Sequence, residues 1–105
     1  MNVTRRDQAL ADLADLAFYL GQDDPDVADR FLDAFEAAAE RLAQMPYIGV
    51  AHPVKAPALF GLRRWPIKGF EKCVIFYLVF EDSIDIVRVL HTSRDIENIL
   101  AENDE

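Results

Sequence analysis

Cys73-Val74-Ile75-Phe76-Tyr77-Leu78-Val79-Phe80 is apolar or aromatic at every position, odd and even alike. An extended chain turns successive side chains to opposite faces, so a run that is apolar on both parities predicts a strand covered on both sides. Glu81-Asp82-Ser83 follows as a turn, and Ser83 to Leu90 alternates into an antiparallel hairpin partner. Upstream, Leu59 to Trp65 reads as a further strand. Pro66 is tolerable only at that strand's end or at a sheet edge, because proline has no N–H to give to a ladder. His52 to Pro57 reads as a loop, with Pro53 and Pro57 stopping regular pairing. Residues 2–6 are a candidate first edge strand that only Val3 recommends.

The first half has a different period. Thr4 reads as an N-cap with Asp7 three residues later, and Leu10, Leu13, Leu16, Ala17 and Leu20 then recur at helical spacing until Gly21. Asp24-Pro25 restarts a helix, Asp as the cap and Pro at the first position, where its missing N–H costs nothing. Ala28, Phe31, Phe35, Ala38, Leu42 and Met45 mark the buried stripe, and Pro46 closes it; Asp26, Asp29, Asp33, Glu36 and Glu40 take much of the rest. Ile96, Ile99 and Leu100 share one side of a short final helix, within residues 96–105, with Asp95 as its cap. The expected fold is α+β and a single domain over residues 1–105. An N-terminal antiparallel helical hairpin packs on one face of a three- to four-stranded, mostly antiparallel sheet, and a short C-terminal helix follows.

Composition narrows the function. The chain has 105 residues, 51% of them hydrophobic, which is enough for one modest core. No apolar stretch approaches the roughly 20 residues of a membrane helix, and no signal-peptide core opens the chain. A single cysteine makes no internal disulfide, so a reducing cytoplasm is the expected location. The formal charge of −8 is uneven: residues 1–50 carry ten acids and four bases, residues 51–95 five acids and seven bases, and residues 96–105 four acids and no base. Such a chain is poorly attracted to polyphosphate, so general nucleic-acid binding is not expected. Arg63, Arg64, Lys68, Lys72, Arg88 and Arg94 form a local basic set against that trend.

Arg88-Val89-Leu90-His91-Thr92-Ser93-Arg94-Asp95 gathers varied polar groups where the last strand ends. In a regular strand His91 shares the face of Val87 and Val89, and Arg88 that of Ile84, Ile86 and Leu90, so the two do not form a catalytic pair. His91 reads as a strand-end side chain bonded to its turn rather than as a general acid or base, because no nucleophile or orienting carboxylate has a place beside it. Arg63 and Arg64, as strand neighbours, point to opposite faces, one toward the sheet face without helices and the other toward an acid on a helix. Binding and structural roles stand level for Arg88 and Arg94. Tyr77 reads as core with a satisfied hydroxyl, and Trp65 beside Pro66 as a partly exposed partner contact. His52, His91 and Cys73 are too isolated for a metal site, and no phosphate-binding glycine loop exists, so neither metal nor cofactor is expected.

Taken in order, Ala9-Leu10-Ala11-Asp12-Leu13, Met45-Pro46-Tyr47-Ile48-Gly49, Leu62-Arg63-Arg64, Cys73-Val74-Ile75-Phe76-Tyr77 and the Arg88–Asp95 stretch resemble the ParE branch of the ParE/RelE superfamily of type II toxin–antitoxin toxins. The resemblance implies a plasmid-stabilisation type toxin neutralised by a cognate antitoxin protein in a hetero-oligomer, with DNA gyrase as its target and no enzymatic activity of its own. Under it, Arg88, His91, Arg94 and Trp65 are the target-binding candidates. Phe18, Tyr19 and Leu32, which fall off the core stripes, are the antitoxin-binding candidates. The alternatives are a RelE-like ribosome-dependent mRNA endonuclease, whose weak catalytic candidates are Arg63, Arg64, Lys68, Arg88 and His91, and a non-toxic antitoxin-binding homologue.

Overall fold

In the computed structural model, which describes residues 1–102, the apolar run lies within strand β4 (Phe70–Val79), hairpinned to β5 (Ser83–His91). Around them stand β1 (Asn2–Arg5), helix α1 (Asp7–Leu20), helix α2 (Pro25–Gln44), β2 (Val50–Ala51), β3 (Arg63–Ile67) and helix α3 (Ile96–Ala101). The sheet order is β1-β5-β4-β3-β2, antiparallel throughout except that β1 runs parallel to β5. Five strands therefore stand where three or four were expected. The additions are the weakly signalled β1 and a two-residue β2 too short to leave any period.

Strand β4 is covered on both faces as its composition requires. Cys73, Ile75 and Tyr77 join Ile84, Ile86 and Val89 beneath the helices, where Leu13, Phe31, Phe35 and Leu42 complete the main core. Val74, Phe76 and Leu78 face the other way and meet Val87, Leu90, Leu59, Leu62 and Leu100. The second face is thus closed by the segment before β3 and by α3 rather than left open.

Several local expectations are corrected. Thr4 lies inside β1 and caps nothing: its hydroxyl bonds Ile84 O at 3.2 Å and Asp85 Oδ1 at 3.1 Å, and α1 begins two residues after Arg5 without a side-chain cap. Leu10 is exposed, and the buried stripe of α1 is instead Ala9, Asp12, Leu13 and Ala17. Met45 is an exposed cap residue rather than core. Pro57–Leu59 forms a 3₁₀ turn, so β3 starts only at Arg63. Pro66 sits inside β3, tolerated because β2 pairs only Arg63 and Arg64 and the register with β4 shifts at Pro66/Ile67. Between β4 and β5 the register also slips, Tyr77 facing Ile86 but Phe76 facing Arg88. Val87 is the extra residue, which puts Ile84 and Ile86 on the helix face, Val87 and Leu90 on the opposite one, and His91 with Val89.

Other signals hold. Asp24 caps α2 by accepting the Asp26 N–H at 3.0 Å, with Pro25 first in the helix. Asp95 caps α3, its carboxylate accepting the Asn98 N–H at 3.4 Å. Gly21 ends α1 at φ −89°, so its use is not a left-handed cap but room: an added Cβ would lie 2.9 Å from Ala28 Cβ where α2 passes.

Tyr77 is the polar pin of the main core. Its fully buried phenol donates to Pro46 O at 2.8 Å and accepts the Gly49 N–H at 2.9 Å, tying the end of α2 to the sheet. Burial raises its pKa, so it serves as a neutral hydroxyl. A side chain at Gly49 would collide with this phenol and stand 2.9 Å from Arg64 O. Tyr77→Phe strands both backbone groups, and the expected cost is about 1–3 kcal/mol. Urea unfolding at pH 7 checks this, and an unchanged midpoint would refute the pinning role.

Candidate functional site

Strand β1 ends at Arg5 opposite Ile86, so the outer edge of β5 beyond that point has no neighbouring strand. Helix α1 turns back over this gap. Asp12 stands where a ladder carbonyl would, its Oδ2 accepting the Val89 N–H at 3.0 Å. The same carboxylate takes both arms of the Arg88 guanidinium, Nε to Oδ2 at 2.7 Å and Nη2 to Oδ1 at 2.9 Å. Side-chain exposures of 13% for Arg88 and 9% for Asp12 make this a buried fork. Hydrogen bonding to Asp12 raises the Arg88 pKa further, against the opposing effect of burial. Arg6 to Asp85 at 2.8 Å and Arg5 to Glu36 at 2.6 Å add ion pairs around the same end of the sheet.

Beside the fork lies a cleft of about 270 Å³ lined by Asp12, Asp15, Leu16 and Tyr19 of α1, Val89 and His91 of β5, and Ser93 and Arg94 of the following turn. The His91 ring is fixed by that turn: Nδ1 accepts the Ser93 N–H at 3.0 Å and lies 2.8 Å from Ser93 Oγ. An Nδ1 that accepts an amide leaves the ring proton of the neutral imidazole on Nε2. No carboxylate orients Nε2 among the described residues, so the Ser93–His91 contact is a turn bond without the third group that activates a nucleophile. Arg94 is exposed, and its guanidinium has no hydrogen-bond or ion-pair partner among the described residues. The cleft therefore offers an apolar wall, an imidazole, the Asp15 carboxylate and a cation without a partner among the described residues, a set suited to recognition.

The sequence candidates separate in space. His91, Arg94 and Tyr19 come together here, while Arg88 is turned to Asp12. Phe18 and Tyr19 are 75% and 69% exposed on α1, and Leu32 is exposed on α2. Trp65 is half-buried, two strands away on the helix face, and lines a groove with Ala34, Ala38 and Arg41 of α2. Arg63 and Arg64 do point to opposite faces, but among the described residues neither forms an ion pair with an acid. Arg63 donates to Gly49 O at 2.7 Å over the Tyr47 ring, and Arg64 to Ala51 O at 3.3 Å and His52 Nδ1 at 3.2 Å. Phe76 stands between Arg64 and Arg88 in the register, and Lys68 lies in the β3–β4 turn. Arg63, Arg64, Lys68, Arg88 and His91 thus converge on no common point. Burial keeps the Cys73 thiol protonated, and no group of three His, Cys, Asp or Glu able to hold a metal occurs among the described residues.

Asp12, Asp15, Leu16 and Ser93 are site residues that the sequence reading did not select. Asp12 did leave a signal. It occupies a stripe position with Ala9, Leu13 and Leu16, and an acid on a buried stripe calls for a basic partner.

A family model for the ParE toxin of the type II toxin–antitoxin system, parDE, matches residues 3–96. The chain belongs to the ParE toxin family. Among solved structures it is similar to a chain of the chromosomal ParDE TA system from P. aeruginosa, at 21% identity and a TM-score of 0.68, covering 87% of this chain and 95% of that one. No curated protein matches. The structural likeness supports the α+β architecture, while the family match reaches from β1 through β5 into the first residue of α3.

In this family member the Asp12 fork is expected to carry stability. Asp12→Ala leaves a buried guanidinium and the Val89 N–H without partners, at a cost of about 3–5 kcal/mol. Asp15→Ala, on the exposed side of the same cleft, should change stability by less than about 0.5 kcal/mol. Paired denaturant titrations decide it: equal effects of the two substitutions would reject the fork as a structural element.

Proposed function

We propose that the protein acts as the toxin of a type II pair, held inactive by a cognate antitoxin protein that covers the outer face of α1 and the adjoining cleft. The observation carrying this reading is the exposed apolar surface of α1, where Phe18 and Tyr19 stand 75% and 69% exposed and Leu10 47% exposed, beside the exposed Arg94. Large exposed aromatics cost solubility in a free monomer and supply anchors in a complex. Leu32 on α2 extends the surface. A toxin–antitoxin hetero-oligomer in the cytoplasm accommodates this arrangement. Among the described residues no helix is long and apolar enough to cross a membrane.

The proposed target is DNA gyrase, as family membership suggests, with Arg94 and His91 as the contact groups. Arg88 acts only through Asp12, by holding the strand end that presents them. Trp65 belongs to a second contact area on the other side of the helical layer. An endonuclease has less support, because the basic residues do not converge and the second sheet face is filled by Leu59, Leu62 and Leu100. The −8 charge also opposes approach to RNA.

Co-expression with the product of the adjacent reading frame should yield a stable complex. Tyr19→Asp, with Phe18 intact, should weaken that complex by about thirtyfold or more, as for a buried aromatic anchor. Isothermal titration checks this, and an unchanged affinity for Tyr19→Asp and Phe18→Asp alike would move the antitoxin elsewhere. For the target, purified chain should inhibit gyrase supercoiling, and Arg94→Glu should lose inhibition while keeping the antitoxin-free fold by circular dichroism. Cleavage of ribosome-bound mRNA by the same preparation would instead restore the endonuclease reading.

A further inference from the structure

The two outer edges of the sheet are not alike. At the β2 end, Arg63 and Arg64 reach across and donate to Gly49 O and Ala51 O. At the other end, the register of β1 with β5 sends the Asn2 and Arg6 N–H groups inward, to Asp82 O at 3.2 Å and Ile86 O at 3.0 Å. Successive residues of a strand alternate, so Val3 and Arg5 turn their backbone N–H and C=O groups outward, at the end of the sheet. Their side chains face the helical layer. Val3 packs on the main core, and the Arg5 guanidinium lies 5.8 Å from the centre of the Phe35 ring. Beside this edge lies a groove of about 530 Å³, walled by Val3 and Arg5 on one side and by Asp33, Ala37, Glu40 and Ala43 of α2 on the other. Asp33, Glu36 and Glu40 share that face of α2 at helical spacing. Glu36 is taken by Arg5 at 2.6 Å, whereas Asp33 and Glu40 are exposed and form no ion pair among the described residues.

We propose that β1 is a docking edge for an extended, basic segment of a partner protein, which adds to the five-stranded sheet as a sixth strand. Main-chain bonds to Val3 and Arg5 hold such a segment, and every second side chain of it enters the groove. Lysine or arginine fits there, with the aliphatic stem over Ala37 and Ala43 and the charged head at Asp33 or Glu40. A four-residue edge bearing an inward arginine resists indiscriminate pairing, so charge must select the occupant. The same charge disfavours the other occupants. A second copy would set two acidic rows of α2 against each other, each on a chain of net charge −8. Residues 96–105 of the chain itself carry four acids and no base, and a polynucleotide would be repelled. The edge shares no residue with α1 or its cleft, so this proposal does not rest on the toxin reading.

The probe is a synthetic hexapeptide, Thr-Lys repeated three times with both ends blocked, added at millimolar concentration to the full chain and followed by NMR. The Val3, Thr4 and Arg5 amide signals are expected to shift, and exchange of the Val3 and Arg5 amide protons should slow about tenfold at nine-tenths saturation. The same peptide with glutamate for lysine should leave them still. So should its N-methylated form, which keeps the charge but has no N–H to donate. Asp33→Lys combined with Glu40→Lys, both at exposed positions, should reverse the choice between the lysine and glutamate peptides. If that variant does not fold, the three peptides on the unaltered chain decide the matter. Unmoved β1 signals with the lysine peptide, equal shifts with either control peptide, or an unreversed choice in the double variant would overturn the proposal. So would protection of the same amides by self-association without peptide, which would give the edge to a second copy.

Discussion

The Asp12 carboxylate settles a problem that the topology creates. A parallel β1 only four residues long cannot cover a nine-residue β5, so half of the outer edge of a largely buried strand is left without a neighbour. An uncovered edge of that kind invites pairing with other chains. Placing α1 across it solves the steric problem but brings a helix, whose own N–H and C=O groups are already used, against unpaired backbone. One acid on the buried stripe of α1 supplies the missing acceptor to Val89, and Arg88 neutralises that acid in turn. Through this one group α1 is seated on the part of β5 that leads into the turn bearing His91 and Arg94.

The register slip at Phe76/Tyr77 belongs to the same arrangement. By inserting Val87, the strand sends an extra apolar side chain to the second face and frees Arg88 to reach around the edge to Asp12.

Parts governed by local pattern were legible in the sequence. The two-sided burial of Cys73–Leu78, the Asp24-Pro25 start of α2, the Asp95 cap and the core stripe through Phe31, Phe35 and Leu42 each depend on residues close in the chain. What escaped depends on partners far along it. Thr4 looks like a cap until Ile84 and Asp85 arrive beside it, some eighty residues later. Strand β2 exists only because Arg63 and Arg64 pair with Val50 and Ala51. The bulge changes no residue type and so leaves no trace in the alternation it breaks. Of the cleft, His91 and Arg94 were visible as a polar concentration and Tyr19 as an aromatic off its stripe. Their meeting was not visible, because it requires knowing which end of α1 crosses β5.

The pairing of β1 with β5 has a consequence for how the molecule comes into being. Asn2 finds its partner only at Ser83, so β1 is made before every element between them and can be seated only after them. The hairpin of α1 and α2 rests on neighbouring segments and can associate early, but its apolar face has no sheet to lie on until β4 and β5 are made. Loop closure over nearly the whole chain must be met before Asp12 can find Arg88 and Val89. Until β5 is made, α1, its exposed aromatics and the acid it will bury therefore all stay accessible. Assembly is completed in one late step when the C-terminal hairpin arrives.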